Sequence, residues 1–481
     1  MKYILSIMII AQFIIINNAI GSAKSAYEVS EKNKSKEKNW LIAHELIEGG
    51  FYFSAIPYLN TYLEENPAID NELEKDIETL VMKTGTMAIL NLEEKKLEKY
   101  NIPSASLILG TRLFNNGQYD NAYEILSRIP EKHKFSIEAN LMKGTIKNLQ
   151  HKLIEAQNFY GLCSQKAHSQ ENAALGDKMK RYYNYLYETC LIRAARIKIE
   201  DKKFEEALEI YDQIDKKSYK WPYILLEKAW ANYYLKDYNR AIGLTVTYKS
   251  PLLESYFFAE AEVLMALSYY NLCLWDDALK VVDHFYEYYQ PKALALKEII
   301  NQNKKSSTYF LELYYADAST RENLNPFIRN LITQTKKQIK FNLDLVSLKS
   351  AKEELALVKS LKNKNTFTKR LETNLESTIT FMSDKINNYI KKEIYAFINE
   401  IHKHSYSMFN LKLELLSKKR EQIYNTKADT IVDRNRGSTK NINRKSTQYF
   451  FDFNGSFWAD ELGDYSFGLN SQCAAANQEK Q

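Results

Sequence analysis

Seven histidines, four cysteines and a close group of acidic residues near the C-terminus are the side chains in this 481-residue sequence that could do chemistry. Zinc takes His, Cys or carboxylate ligands at short regular spacings. His133, His151 and His168 are scattered, and His402 and His404, two apart on a helix, would point to different faces. Neither set is read with a Cys or carboxylate at zinc-ligand spacing. Asp460, Glu461 and Asp464 lack the alternating ligands and central glycine of a calcium loop, so a solvated acidic face is expected. Gly-rich phosphate loops and Gly-x-Ser-x-Gly turns are missing as well. The expectation is no enzyme, no metal and no cofactor. For Cys163, Cys190, Cys273 and Cys473 two readings stand. Cys163 and Cys273 lie inside repeats, which favours buried free thiols; Cys163 with Cys190 is the best disulfide pair, because they flank one insertion.

The elements that must position these groups are set by a period. In 110–130, Gly110, Leu113, Gly117, Tyr119, Ala122, Leu126 and Pro130 alternate small and bulky residues, and Gly110 and Ala122 recur 34 positions on as Gly144 and Ala156. Phe204 and Ala207 recur as Tyr238 and Ala241 at the same step. Two looser copies carry Trp40, Ala43, Tyr52, Ala55, Leu59 and Pro67, and Ala266, Tyr269, Trp275, Ala278 and Pro291. A small residue at a helix crossing lets two backbones approach, and one such pair cannot bury its apolar face alone. Five registered copies resemble the tetratricopeptide repeat family. That resemblance implies an all-α solenoid whose first helices line a concave binding groove. Carried over by position, the groove residues are Thr111, Phe114 and Asn115; Arg196, Ile199 and Glu200; Trp230, Tyr233 and Tyr234; and Leu267, Tyr270 and Asn271, with Trp230, Tyr233 and Tyr234 the set best suited to a peptide.

Along the chain, residues 1–21 read as a signal peptide: a basic start, a short apolar run over Ile4–Ile16, and small residues before the cleavage point. Residues 22–38 read as a polar leader, and 39–303 as the solenoid. Ser164–Asp177 is expected to be an extra loop, with Tyr182, Tyr183, Tyr185 and Tyr187 following it on more than one helix face. From 304 to 424 the spacing predicts long helices, broken near Asn363-Lys364-Asn365 as a helical hairpin or coiled-coil-like pair. Within it, Lys336–Glu421 holds 18 Lys and Arg against 10 Asp and Glu, enough to meet an anionic membrane surface. The overall formal charge of +6 is too small for a dedicated nucleic-acid binder. Residues 425–448 read as a flexible basic linker, and 449–481 as a flexible aromatic and acidic tail.

That tail has Phe451, Gly455, Phe457, Trp458, Asp460, Glu461, Leu462, Gly463, Tyr465 and Cys473 in an order that resembles the ending of exported tetratricopeptide proteins of the adventurous gliding-motility machinery of gliding and predatory deltaproteobacteria. Asn454 departs from the Asp of that pattern. The resemblance implies a periplasmic or outer-membrane-associated scaffold with other envelope proteins as partners. Phe451, Phe457, Trp458, Asp460, Glu461 and Tyr465 would then form a tethered docking element, removable without loss of folding. The rival expectation is a periplasmic assembly factor that recruits a cell-wall enzyme or an outer-membrane client.

Overall fold

The computed structural model describes residues 21–65, 68–85, 93–253, 256, 258–306, 308–316, 326–336, 339–361, 365–425, 442 and 455–473. The expected signal peptide and basic linker lie almost wholly outside these residues, as does Phe451. Among the described residues there is no strand, and no helix is long and apolar enough to cross a membrane. The helices are α1 (21–32), α2 (Lys38–Glu48), α3 (Tyr52–Glu64), α4 (Asn71–Thr84), α5 (Glu94–Lys99), α6 (Pro103–Asn115), α7 (Tyr119–Ser127), α8 (Ser136–Leu149), α9 (Leu153–Ala173) and α10 (Asp177–Glu200). They continue as α11 (Phe204–Tyr211), α12 (Trp221–Tyr234), α13 (Tyr238–Val246), α14 (Ala259–Asn271), α15 (Trp275–Gln302), α16 (Tyr309–Tyr315), α17 (Pro326–Lys336), α18 (Ile339–Ser360) and α19 (Thr366–Asn425). Two compact units emerge: Met1–Cys190 with Lys340–Ile386, and Leu191–Ile339 with Asn387–Gln481.

The repeat is built as its period demands. Gly110 and Gly144 stand where helices cross: a Cβ on Gly110 would come within 2.6 Å of Leu126, and one on Gly144 within 2.7 Å of the Tyr160 ring. Ala55, Ala122, Ala156, Ala207, Ala241 and Ala278 are fully buried at the matching positions of the second helices. Each turn between the paired helices passes through the left-handed region, at Gly50, Gly117, His151, Lys202, Lys236 and Cys273. The next N–H then reaches back five residues to a helix carbonyl: Phe51 to Leu46, Gln118 to Leu113, Lys152 to Lys147, Lys203 to Lys198, Asp237 to Asn232 and Leu274 to Tyr269, all at 2.8–3.0 Å. This is the closing bond of a helix C-cap, and its recurrence shows a tetratricopeptide-like helical repeat.

In the first unit, the stretch expected to be a solvated leader is helical over 21–32, with Ala23 and Ala26 buried. Small residues three apart on one face give that polar segment something to pack. The expected extra loop after Ser164 is absent: α9 simply runs on to Ala173 and α10 starts at Asp177. A disulfide between Cys163 and Cys190, Cα atoms 6.0 Å apart, ties the two extended helices in a cluster with Ile137, Ala167 and Leu186. Tyr182, Tyr183, Tyr185 and Tyr187 pack around it partly buried, and the Tyr182 hydroxyl donates a hydrogen bond to half-buried Glu138. The hairpin break falls where expected: Asn365 and Thr368 cap α19 reciprocally, N–H to side-chain oxygen at 2.9 and 2.8 Å.

In the second unit, Pro291 does not end a repeat but lies inside α15, whose buried stripe continues through Ala293, Leu296 and Ile300 and holds the helix past the missing N–H. Several lysines of the basic stretch are engaged here, Lys412 with Asp283 at 2.7 Å and Lys419 with Asp276 at 2.6 Å. The described tail is packed, not free. Cys473 is disulfide-bonded to Cys273, Cα atoms 5.1 Å apart, so the free-thiol expectation fails for both Cys163 and Cys273.

Candidate functional site

The first helices of the second unit carry the aromatic set that the repeat positions single out. Trp230 meets Tyr233 edge-on at 5.5 Å and stacks on Tyr234 at 5.8 Å, and Phe204 also stacks with Tyr234, at 5.2 Å. Tyr233 turns into the neighbouring pair and accepts a hydrogen bond from Asn271 at 2.9 Å. Tyr234 stays 51% exposed, the one member of the set open to solvent to that extent. Arg196 forks onto Glu227, Nε to Oε2 at 2.9 Å, and the Tyr211 hydroxyl donates to the same carboxylate. Burial, with Glu227 beside it, pushes the Tyr211 hydroxyl up.

Of these side chains Arg196, Glu227 and Trp230 line a cavity of about 420 Å³, together with Tyr223, Phe258 and Glu260, with Leu331 and Thr335 of α17, and with Glu393, Phe397 and Glu400 of α19. The long helix therefore forms part of the wall of the first-helix face. Trp230 Nε1 donates to Glu260 Oε1 at 2.9 Å. Glu400 and His404 stand one turn apart on α19, and their ligand atoms lie within 4.8 Å of each other and of a Glu260 oxygen. The sequence reading missed this group. Glu400 four residues before His404, on a helix without Pro or Gly, is the signal that the sequence carries. Nothing in the spacing could have supplied Glu260.

Phe114 and Tyr270 do not line this cavity. Phe114 is half-buried in the first unit, its ring 5.6 Å from Tyr119. Tyr270 is half-buried, and burial together with Glu414 pushes its hydroxyl up.

The tail residues lie along α12 and α13 of the same chain. The Tyr465 carbonyl rests so close over Gly243 that a Cβ there would sit 1.9 Å from it. Leu462 is buried, Gly463 N–H donates to Thr247 at 3.2 Å, and Asn239 exchanges two hydrogen bonds with the Leu469 backbone at 3.0 and 3.1 Å. Lys216 binds the Asp460 carbonyl and the Asp464 carboxylate, both at 2.7 Å. Phe457 and Tyr465 meet edge-to-face at 5.7 Å, while Trp458 is 63% exposed. Over 455–473 the expected flexible tail is instead a fixed strap, because its backbone groups, Asp464 and Cys473 find partners on its own repeats; the expected tether lies outside the described residues.

No family model matches the sequence, and no curated protein matches it. Among solved structures, the chain is similar to the Rap conjugation gene regulator of the plasmid pLS20 in complex with the Phr* peptide, at 12% identity and a TM-score of 0.29, over 80% of this chain and 97% of that one.

Proposed function

We propose that this chain is a non-catalytic helical-repeat scaffold, exported to the bacterial cell envelope, that holds a protein partner through the first-helix face of its second unit. The observation that carries this reading is the exposed Tyr234, stacked with both Phe204 and Trp230, the second of which lines the cavity. A rigid aromatic anchor next to a concave site loses little conformational entropy on binding, which is why such residues dominate interfaces. Export is supported by the two disulfides, which persist in oxidising compartments and are rare in the cytosol. The finer reading, a component of a gliding-motility-type envelope complex, rests on the tail resemblance. With the strap seated on its own chain, Trp458 is the one large exposed ring among the described residues of that motif.

The experiment is affinity capture from detergent-solubilised envelopes with the intact chain, Tyr234→Ala and Trp458→Ala, each checked for unchanged helicity. Loss of the captured proteins with Tyr234→Ala, by about tenfold or more as for an interface hot spot, is the expected result. Equal recovery with Tyr234→Ala would remove the first-helix face from the account. Loss only with Trp458→Ala would move recognition to the strap.

A further inference from the structure

Glu260 of α14 and Glu400 and His404 of α19 bring three donor atoms together within 4.8 Å. Glu400 and His404, four apart, project from successive turns of one helix face. The His404 ring is 6% exposed, and its Nε2 stands 3.8 Å from Glu400 Oε1, beyond hydrogen-bond reach. A buried imidazole facing two carboxylates, all three donor atoms within 4.8 Å, is a mixed nitrogen and oxygen ligand set. Glu260 is meanwhile held in place: Oε1 takes the Trp230 indole N–H at 2.9 Å, the kind of outer contact that orients a metal-binding carboxylate and leaves its second oxygen to bind.

The surroundings favour a cation. Glu260 and Glu400 both line the cavity, and its guanidinium, Arg196, is forked onto a third lining carboxylate, Glu227. The cavity reaches Glu260 and Glu400, so it offers an entry path and room for water on the open side of the three donors. From these observations we propose that Glu260, Glu400 and His404 bind a first-row divalent metal ion, zinc foremost, joining α14 to α19. One imidazole with two carboxylates suits zinc or manganese, whereas magnesium and calcium prefer all-oxygen shells. Tetrahedral zinc at about 2.1 Å from each ligand sets donors about 3.4 Å apart. Rotation of the two half-buried carboxylates closes that gap. Three protein ligands leave a fourth position for water or for a side chain entering from the cavity.

The proposal stands apart from the scaffold reading and has its own test. The full-length chain, stripped with chelator, is titrated with Zn²⁺ by calorimetry in excess Mg²⁺, and its melting is followed with and without Zn²⁺. The variants are His404→Gln, Glu400→Gln and, as control, exposed His402→Gln, with helicity recorded for each. Expected are stoichiometric binding and a raised melting temperature in the intact chain and in His402→Gln, and affinity weakened by at least about tenfold in the other two. Unchanged affinity in Glu400→Gln, which keeps the test decisive should His404→Gln misfold, overturns the site. So does an equal loss in His402→Gln, or displacement of Zn²⁺ by Mg²⁺.

Discussion

Glu354 belongs to α18, yet its carboxylate caps α3. Its two oxygens accept the N–H groups of Phe53 and Ser54 at 2.9 and 2.7 Å, the second and third positions of a helix that has no side-chain cap of its own. Burial pushes the Glu354 carboxyl up to about 7, and the backbone donors offset this only in part. The folded protein therefore keeps a proton that the unfolded chain has lost between about pH 4.5 and 7. The stability this group contributes is complete below the unfolded value and is lost as pH rises through the folded one, by up to about 3 kcal/mol. In Glu354→Gln, whose neutral amide does not titrate, that part of the slope disappears. Denaturant midpoints measured from pH 4.5 to 8 should show the variant gaining on the parent as pH rises; parallel curves would mean that the carboxylate is ionised throughout. No sequence pattern announces such a cap, since donor and acceptor lie 300 and 301 residues apart.

At the scale of the element, the repeat shows what a sequence can carry and what it cannot. Small residues at crossings and aromatics three positions before them are local and periodic, so the pairing of helices was legible from Gly110, Gly144 and the buried alanines. Composition marks the turns only at Gly50 and Gly117: His151, Lys202, Lys236 and Cys273 adopt the same left-handed conformation at φ 56–64° without glycine, so composition hides them. The loop expected after Ser164 failed because polar residues also suit an exposed helix face when the other face is pinned by Cys163–Cys190. Gly144 gives the sharpest test of the crossing argument. Alanine gains roughly 1 kcal/mol of helix propensity over glycine, but here its Cβ would lie 2.7 Å from the Tyr160 ring. Overpacking of that kind costs about 1–3 kcal/mol. Gly144→Ala should destabilise by about 1 kcal/mol net in chemical denaturation. A stabilised variant would mean that the helices move apart freely and that the small residue is not what sets their approach.

For the molecule as a whole, the strap decides how the chain is closed. The Cys273–Cys473 bond spans 200 residues and anchors 455–473 at the turn of the last repeat pair, while Leu462, Gly463 and Asn239 seat it on α12 and α13. The covalent and packed parts can be separated. In the chain-entropy account a loop of that length is worth at most about 5 kcal/mol, so Cys473→Ser should lower the melting temperature by roughly 10 °C and leave helicity intact. Deleting Tyr449–Gln481 should lower it further, because it also uncovers the surface beneath Leu462 and strips Thr247 and Asn239 of their partners. Reductant supplies the control: with both disulfides opened, the intact chain should fall to the melting temperature of Cys473→Ser treated alike, while the deletion stays lower. Scanning calorimetry with thiol quantification reads all three. A deletion that melts with the intact chain under oxidising conditions would mean that the strap is held without being needed, and would return it to the role of a docking segment awaiting a partner. A fall confined to oxidising conditions would instead tie the stability of this protein to the compartment that keeps its disulfides closed.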